Sequence, residues 1–176
     1  MHRMRLPELA HKLILRQFAS YAGESIKTIL SETGLASRQL AVETIEFPLD
    51  LTLELAEQFD LSMCFDTGHV LSGFPGPVDP FAALERCLPR LAEIHLHDSP
   101  WLRPGQEIRY GQDHQPLGKG DLDVGRLLDR LIESKFTGPL IFELRVEQAL
   151  ASLDVIRSIR PNVLPALLGQ FAKGGT

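Results

Sequence analysis

Four short apolar runs alternate with helix-length segments along this chain, and each run closes on a residue able to bind a metal. The first spans residues 39–45 and carries Glu43 near its end; the second, Leu61–Phe65, is followed at once by Asp66. The third, Leu91–His97, holds His95 and His97 and runs into Asp98; the fourth, Gly138–Leu144, holds Glu143. Between them, Pro48–Phe59 places Leu51, Leu55 and Phe59 at helical spacing, and Asp123–Lys135 does so with Leu127, Leu128, Leu131 and Ile132. Asp79 before Pro80 reads as an N-cap followed by proline at the first helical position, opening a helix to Leu88. Two helices are expected ahead of the first strand, Pro7–Tyr21 and Gly23–Thr33, the second stopped by Gly34; another covers Val146–Ser158. Strands alternating with helices predict an α/β fold around a parallel sheet, either doubly wound or a barrel. No glycine-rich phosphate fingerprint follows the first strand, so the doubly wound dinucleotide fold lacks its main support.

The strand exits carry the functional signal. In a parallel barrel every C-terminal strand end opens on one face, so residues remote in sequence meet there. Glu43, Asp66, His95 and Glu143 would then form a mixed oxygen and nitrogen set. Such a set suits manganese, zinc, cobalt, iron or magnesium better than a thiolate-seeking metal. Each residue alone has a plainer reading. Glu43 can be a solvated strand end, and Asp66 can cap the turn before Gly68. His95 and His97 share a strand face, and one of them can be an ordinary partly buried histidine. Glu143 follows Leu140, Ile141 and Phe142, where a carboxylate is costly unless paired or metal-bound. Four strands ending this way by coincidence is a much poorer explanation than one shared site.

Bulk properties narrow the field. The 176 residues suffice for one domain, expected over 1–176, with a weakly ordered tail at 160–176. A formal charge of −5 argues against a protein that grips a nucleic-acid backbone. Cys64 and Cys87 form no CxxC pair, and Cys64 sits in an apolar run as a small buried hydrophobe. No apolar stretch approaches the roughly 20 residues that span a bilayer, and Pro7 and Glu8 break any leader-like start. The expectation is a reduced, cytoplasmic protein without a membrane partner. Ser99–Leu122 is polar and rich in glycine and proline; loops of that length are functional or disordered.

Five segments resemble the xylose isomerase-like TIM-barrel superfamily, which includes sugar-phosphate isomerases and epimerases and the endonuclease IV group. They are Ala41–Thr44 (AVET), Phe65–His69 (FDTGH), Glu93–Asp98 (EIHLHD), His114–Gly120 (HQPLGKG) and Ile141–Glu143 (IFE). The resemblance implies a partial TIM barrel of about four βα units, matching the C-terminal half of a full barrel of about 250 residues. It implies a divalent metal (manganese, zinc, cobalt or magnesium) on Glu43, Asp66, His95 and Glu143. Glu43 and Glu143 would also form the acid/base pair on a small sugar or sugar phosphate, working through an enediolate. His69 would orient the substrate, joined in substrate binding by His97, His114 and Lys119. His97 and Asp98 are further candidates for orienting His95 or closing the Ser99–Gly120 loop. A solvated loop lysine is the plainer reading of Lys119.

Two alternatives accompany that expectation. The run from Gln112 to Leu117 is similar to a subgroup proposed to cleave the nucleotide loop of cobamides, which would make the chain a metal-dependent phosphodiester hydrolase. Gln112 stands where the multi-metal endonucleases place an aspartate, which weakens a three-metal site. Alternatively the chain is a non-catalytic half-barrel, or one that pairs with a second copy or an N-terminal half, because exposed sheet edges invite pairing.

Overall fold

The computed structural model describes residues 7–103, 105–108 and 110–162. The long helix α1 (Glu8–Thr33) comes first, followed by strand β1 (Ala41–Glu43), helix α2 (Leu49–Gln58) and strand β2 (Ser62–Asp66). A short helix α3 (Thr67–Leu71) and helix α4 (Pro80–Cys87) lead to strand β3 (Leu91–His95). Helix α5 (Val124–Glu133), strand β4 (Leu140–Ile141) and helix α6 (Val146–Ile159) complete the described chain. The tail expected to be weakly ordered lies, from residue 163 onward, outside the described residues.

The sheet runs β1-β2-β3-β4, and every pairing is parallel. Each strand is followed by at least one helix, which is the barrel pattern opened out. Among the described residues β1 and β4 each have a single strand neighbour, so the sheet is a half-barrel with two edges.

Side-chain alternation sets the two faces. On β2, Met63 and Phe65 join the hydrophobic cluster with Leu84, Leu127, Leu128 and Leu131 of the helix layer. Cys64 and Asp66 point the other way, toward the barrel interior. The same period on β3 sends Ile94 and Leu96 into the core and leaves Glu93 and His95 inside. Every residue of β2 is buried, as expected for a parallel strand covered on both faces.

Three expectations are corrected. The two leading helices are one continuous helix, because Gly23 is a close approach and not a break. A Cβ there would lie 3.2 Å from the Phe59 ring, so glycine lets α1 settle on α2. Gly34 does end the helix, at φ 66°, with its N–H on the Leu30 carbonyl. The first and fourth strands are shorter than the apolar runs: three residues instead of 39–45, and two instead of Gly138–Leu144. Both are edge strands, where ladder pairing exists on one side only. The third strand ends at His95, because beyond it Asp98 pairs antiparallel with Gln115.

The Ser99–Leu122 loop is not loose at its feet. The Asp98 carboxylate is fully buried and accepts the backbone N–H groups of Ser99, Gly118 and Leu122 at 2.8–2.9 Å. Helix starts behave as the sequence predicts: Asp79 caps α4 through Phe81 and Ala82, and Asp123 caps α5 through Arg126.

Candidate metal centre

Parallel pairing brings the strand exits level. Glu43 lies opposite Cys64, Asp66 opposite His95, and His95 opposite Ile141, two residues before Glu143. One ligand atom from each of Glu43, Asp66, His95 and Glu143 falls within 4.8 Å of the others. His95 is the hub. Its Nδ1 is 3.1 Å from Glu143 Oε1, 3.4 Å from Glu43 Oε1 and 3.7 Å from Asp66 Oδ2.

Three carboxylates crowded on one imidazole repel one another unless a cation balances them. The protein without a cation relies on its histidines. Glu43 is held below the ordinary carboxylate range first by the close His69 imidazole, against the opposing effect of burial, with His95 assisting. Burial alone would lower the pKa of His69, but Glu43, Asp66 and Asp113 outweigh it and raise the value. The same contest raises His95, with Glu143 and Glu43 the leading partners. His69 Nδ1 is buried and lacks a well-aligned hydrogen bond, although it lies 3.2 Å from Glu43 Oε1. A hard or borderline divalent cation fits this set by charge and by donor type.

Asp66 is the most constrained member. Its Oδ1 accepts the His69 backbone N–H at 2.7 Å, capping α3, and its Oδ2 lies 3.0 Å from His97 Nε2. The turn-capping role and the shared site are therefore compatible. His97 Nδ1 accepts the His114 backbone N–H at 2.9 Å, so the proton sits on Nε2 and is donated to Asp66. With no exposed surface and both ring nitrogens engaged, His97 orients Asp66. His97, an expected substrate contact, offers no exposed surface in this arrangement. The fit is tight: a Cβ on Gly68 would sit 2.0 Å from the His97 ring.

His114 stacks on His97 with ring centres 4.1 Å apart, and its Nε2 lies 3.2 Å from Glu143 Oε2. His69 stands edge-on to both rings. His69 is 14% exposed beside Glu43, and His114 is 43% exposed beside Glu143. Lys119 is exposed on the turn after Pro116, and no salt bridge joins it to any described residue.

The sequence reading overlooked Glu93 and gave Asp113 no role. Glu93 Oε1 lies 2.9 Å from His95 Nε2, and Asp113 Oδ2 lies 2.6 Å from His114 Nδ1. The signal for Glu93 was available: it shares strand parity with His95. Both cysteines are buried free thiols, and burial pushes Cys87 up to about 12.

The fold and this rim define a parallel half-barrel with a metal-capable carboxylate and histidine cluster at its strand exits. The chain belongs to the family described as xylose isomerase-like TIM barrel, which matches residues 11–160. That family includes sugar isomerases and epimerases and endonuclease IV-like members. Among solved structures, the chain is similar to a xylose isomerase domain protein from Planctomyces limnophilus, at a TM-score of 0.63 and 23% identity. The similarity covers 94% of this chain and 58% of that one, so this chain spans under two thirds of that structure's length. No curated protein matches it. Among the described residues, no helix is long and apolar enough to cross a membrane.

Proposed function

We propose that the chain is a divalent-metal-dependent isomerase or epimerase of a small sugar or sugar phosphate. One observation carries the reading: donor atoms from four different strand exits lie within 4.8 Å of one another. Glu43, Asp66, His95 and Glu143 would hold the metal, which when bound supplies Lewis acidity to a carbonyl and its neighbouring hydroxyl.

The side chains divide the remaining work by their constraints. Asp66 has one oxygen capping α3 and the other bonded to His97, so it acts as a fixed anchor. Glu43 and Glu143 come from the two outer strands and approach His95 Nδ1 from opposite ends of the sheet. One takes the carbon-bound proton at a carboxylate oxygen and the other returns a proton to the opposite face or the adjacent carbon. His69, next to Glu43, is placed to hold a substrate hydroxyl, and His114, next to Glu143, a second one.

A second reading, phosphodiester hydrolysis, has one specific support. His69, His97 and His114 form another donor set within 4.8 Å, beside the first. His97 weakens it, because both of its nitrogens are already engaged.

The deciding experiment loads the protein with manganese, cobalt or zinc and incubates it with aldoses, ketoses and their phosphates in deuterated water. Deuterium appearing at the carbon beside the carbonyl, and vanishing in Glu143→Gln, is the expected result. Cleavage of a phosphodiester without any exchange would replace this reading with the hydrolytic one. Neither activity with tight metal uptake would point to a half-barrel needing another four strands, and light scattering would show whether a second copy supplies them.

A further inference from the structure

The imidazole of His95 has two ends, and only one faces the carboxylate rim. Its Nε2 points down into the barrel interior, where it meets Glu93 Oε1 at 2.9 Å. Glu93 sits two residues earlier on β3 and therefore on the same face of the strand. Beneath both lies Cys64 of β2, opposite Glu93 in the sheet register. The Cys64 sulfur, the Glu93 carboxylate and the His95 ring share a space of 4.8 Å. The Cys64 thiol is buried and free.

Resting on the metal-site reading of the preceding subsection, we infer that Glu93 is a positioning residue for the metal ligand His95. It holds Nε2–H and so keeps the Nδ1 lone pair aimed at Glu43, Asp66 and Glu143. The arrangement follows from donor accounting. The Glu93 carboxylate accepts, so the Nε2 that faces it at 2.9 Å is the ring nitrogen that carries the proton. A carboxylate behind a ligating imidazole fixes the ring and makes the ligand nitrogen more basic. Without Glu93 the ring could turn about its Cβ–Cγ bond and present either nitrogen. Glu93 stands to His95 as His97 stands to Asp66: each of the two inner ligands has its own partner behind it.

The test compares parent, Glu93→Gln and Glu93→Ala. The Glu93 side chain is about one third exposed (32%), so its removal opens no buried hole, and Gln is nearly isosteric. Metal-free melting curves check the fold of each. Zinc affinity is expected to fall roughly 10–100-fold in Glu93→Ala and less in Glu93→Gln, which keeps an acceptor oxygen. Cobalt loading should give a ligand-field spectrum that shifts in both variants. Nitrogen-15 spectra of the parent, with and without metal, should show a slowly exchanging His95 Nε2–H resonance that disappears in Glu93→Ala.

Unchanged zinc affinity and cobalt spectra in folded variants would overturn the inference. So would a strong sulfur-to-cobalt band, which would make Cys64 and Glu93 ligands of their own site. A parent protein that binds no metal overturns the preceding reading instead. The metal-free Nε2–H resonance then still decides whether Glu93 holds His95, and its absence from the parent refutes that.

Discussion

The two inner strands and the two outer strands deliver the same kind of residue to the same rim, but hold it differently. Asp66 on β2 is fully buried, caps α3 and takes a hydrogen bond from His97. His95 on β3 is 15% exposed and is backed by Glu93. Glu43 and Glu143, from β1 and just after β4, are about twice as exposed, at 29% and 34%. Their polar neighbours are the histidines of the site itself. Position in the sheet therefore separates the four side chains: central strands hold theirs buried and backed by a partner, and edge strands leave their carboxylates more exposed.

The sharpest way to break this comparison is Asp66→Ala. It removes the α3 cap, worth about 1 kcal/mol, and strands the buried His97 donor, which costs about 1–3 kcal/mol. Denaturant titration of the metal-free protein should therefore show a loss of about 2–4 kcal/mol, and calorimetry should show tight metal uptake gone. Gly68→Ala comes next. The new methyl collides with the His97 ring, so the metal-free protein should lose about 1–3 kcal/mol. Metal affinity should drop as well, although neither residue is a ligand.

A pH series sharpens the outer half. His69 and His95 have raised pKa values, so their charge pairing stabilises the metal-free protein below their ordinary value of 6.5 and is lost as pH rises through the raised ones. Glu43 is lowered, so its contribution holds above 4.5 and fades as pH falls through the lowered value. Metal-free stability should be highest between these limits and decline past neutrality, and a saturating divalent cation should cancel the decline. The smallest effect is expected from Glu143→Gln. Its stability should stay within about 0.5 kcal/mol of the parent because the side chain is partly solvated, while metal affinity and proton exchange both fall. A loss of stability as large as that of Asp66→Ala would erase the distinction between inner and outer strands.

Much of this was legible from residue spacing. Four exit residues separated by helical segments converge because parallel strands share a direction, and that needs no knowledge of the loops. Strand lengths were not legible, since an apolar run cannot reveal that its sheet neighbour is missing on one side. Gly23 read as a break because sequence shows the absence of a side chain and not the Phe59 ring filling the space. Glu93 lies one layer below the strand exits, where an acidic residue in a strand carries no signal of its partner. The role of His97 depended on the His114 N–H, a contact across 17 residues of loop that no local pattern announces.

The loop gathered by Asp98 has a consequence of its own. One carboxylate holds residues 99, 118 and 122 together, so the intervening segment enters and leaves the barrel at nearly one point. Such a segment behaves as an interchangeable cassette. The part ahead of Gln112 can lengthen, shorten or change chemistry while His114, Gln115 and the carboxylates of the rim stay in register. Diversification of what this scaffold accepts would then be concentrated there, with Asp98 as the clasp that lets the sheet below ignore what is built above it.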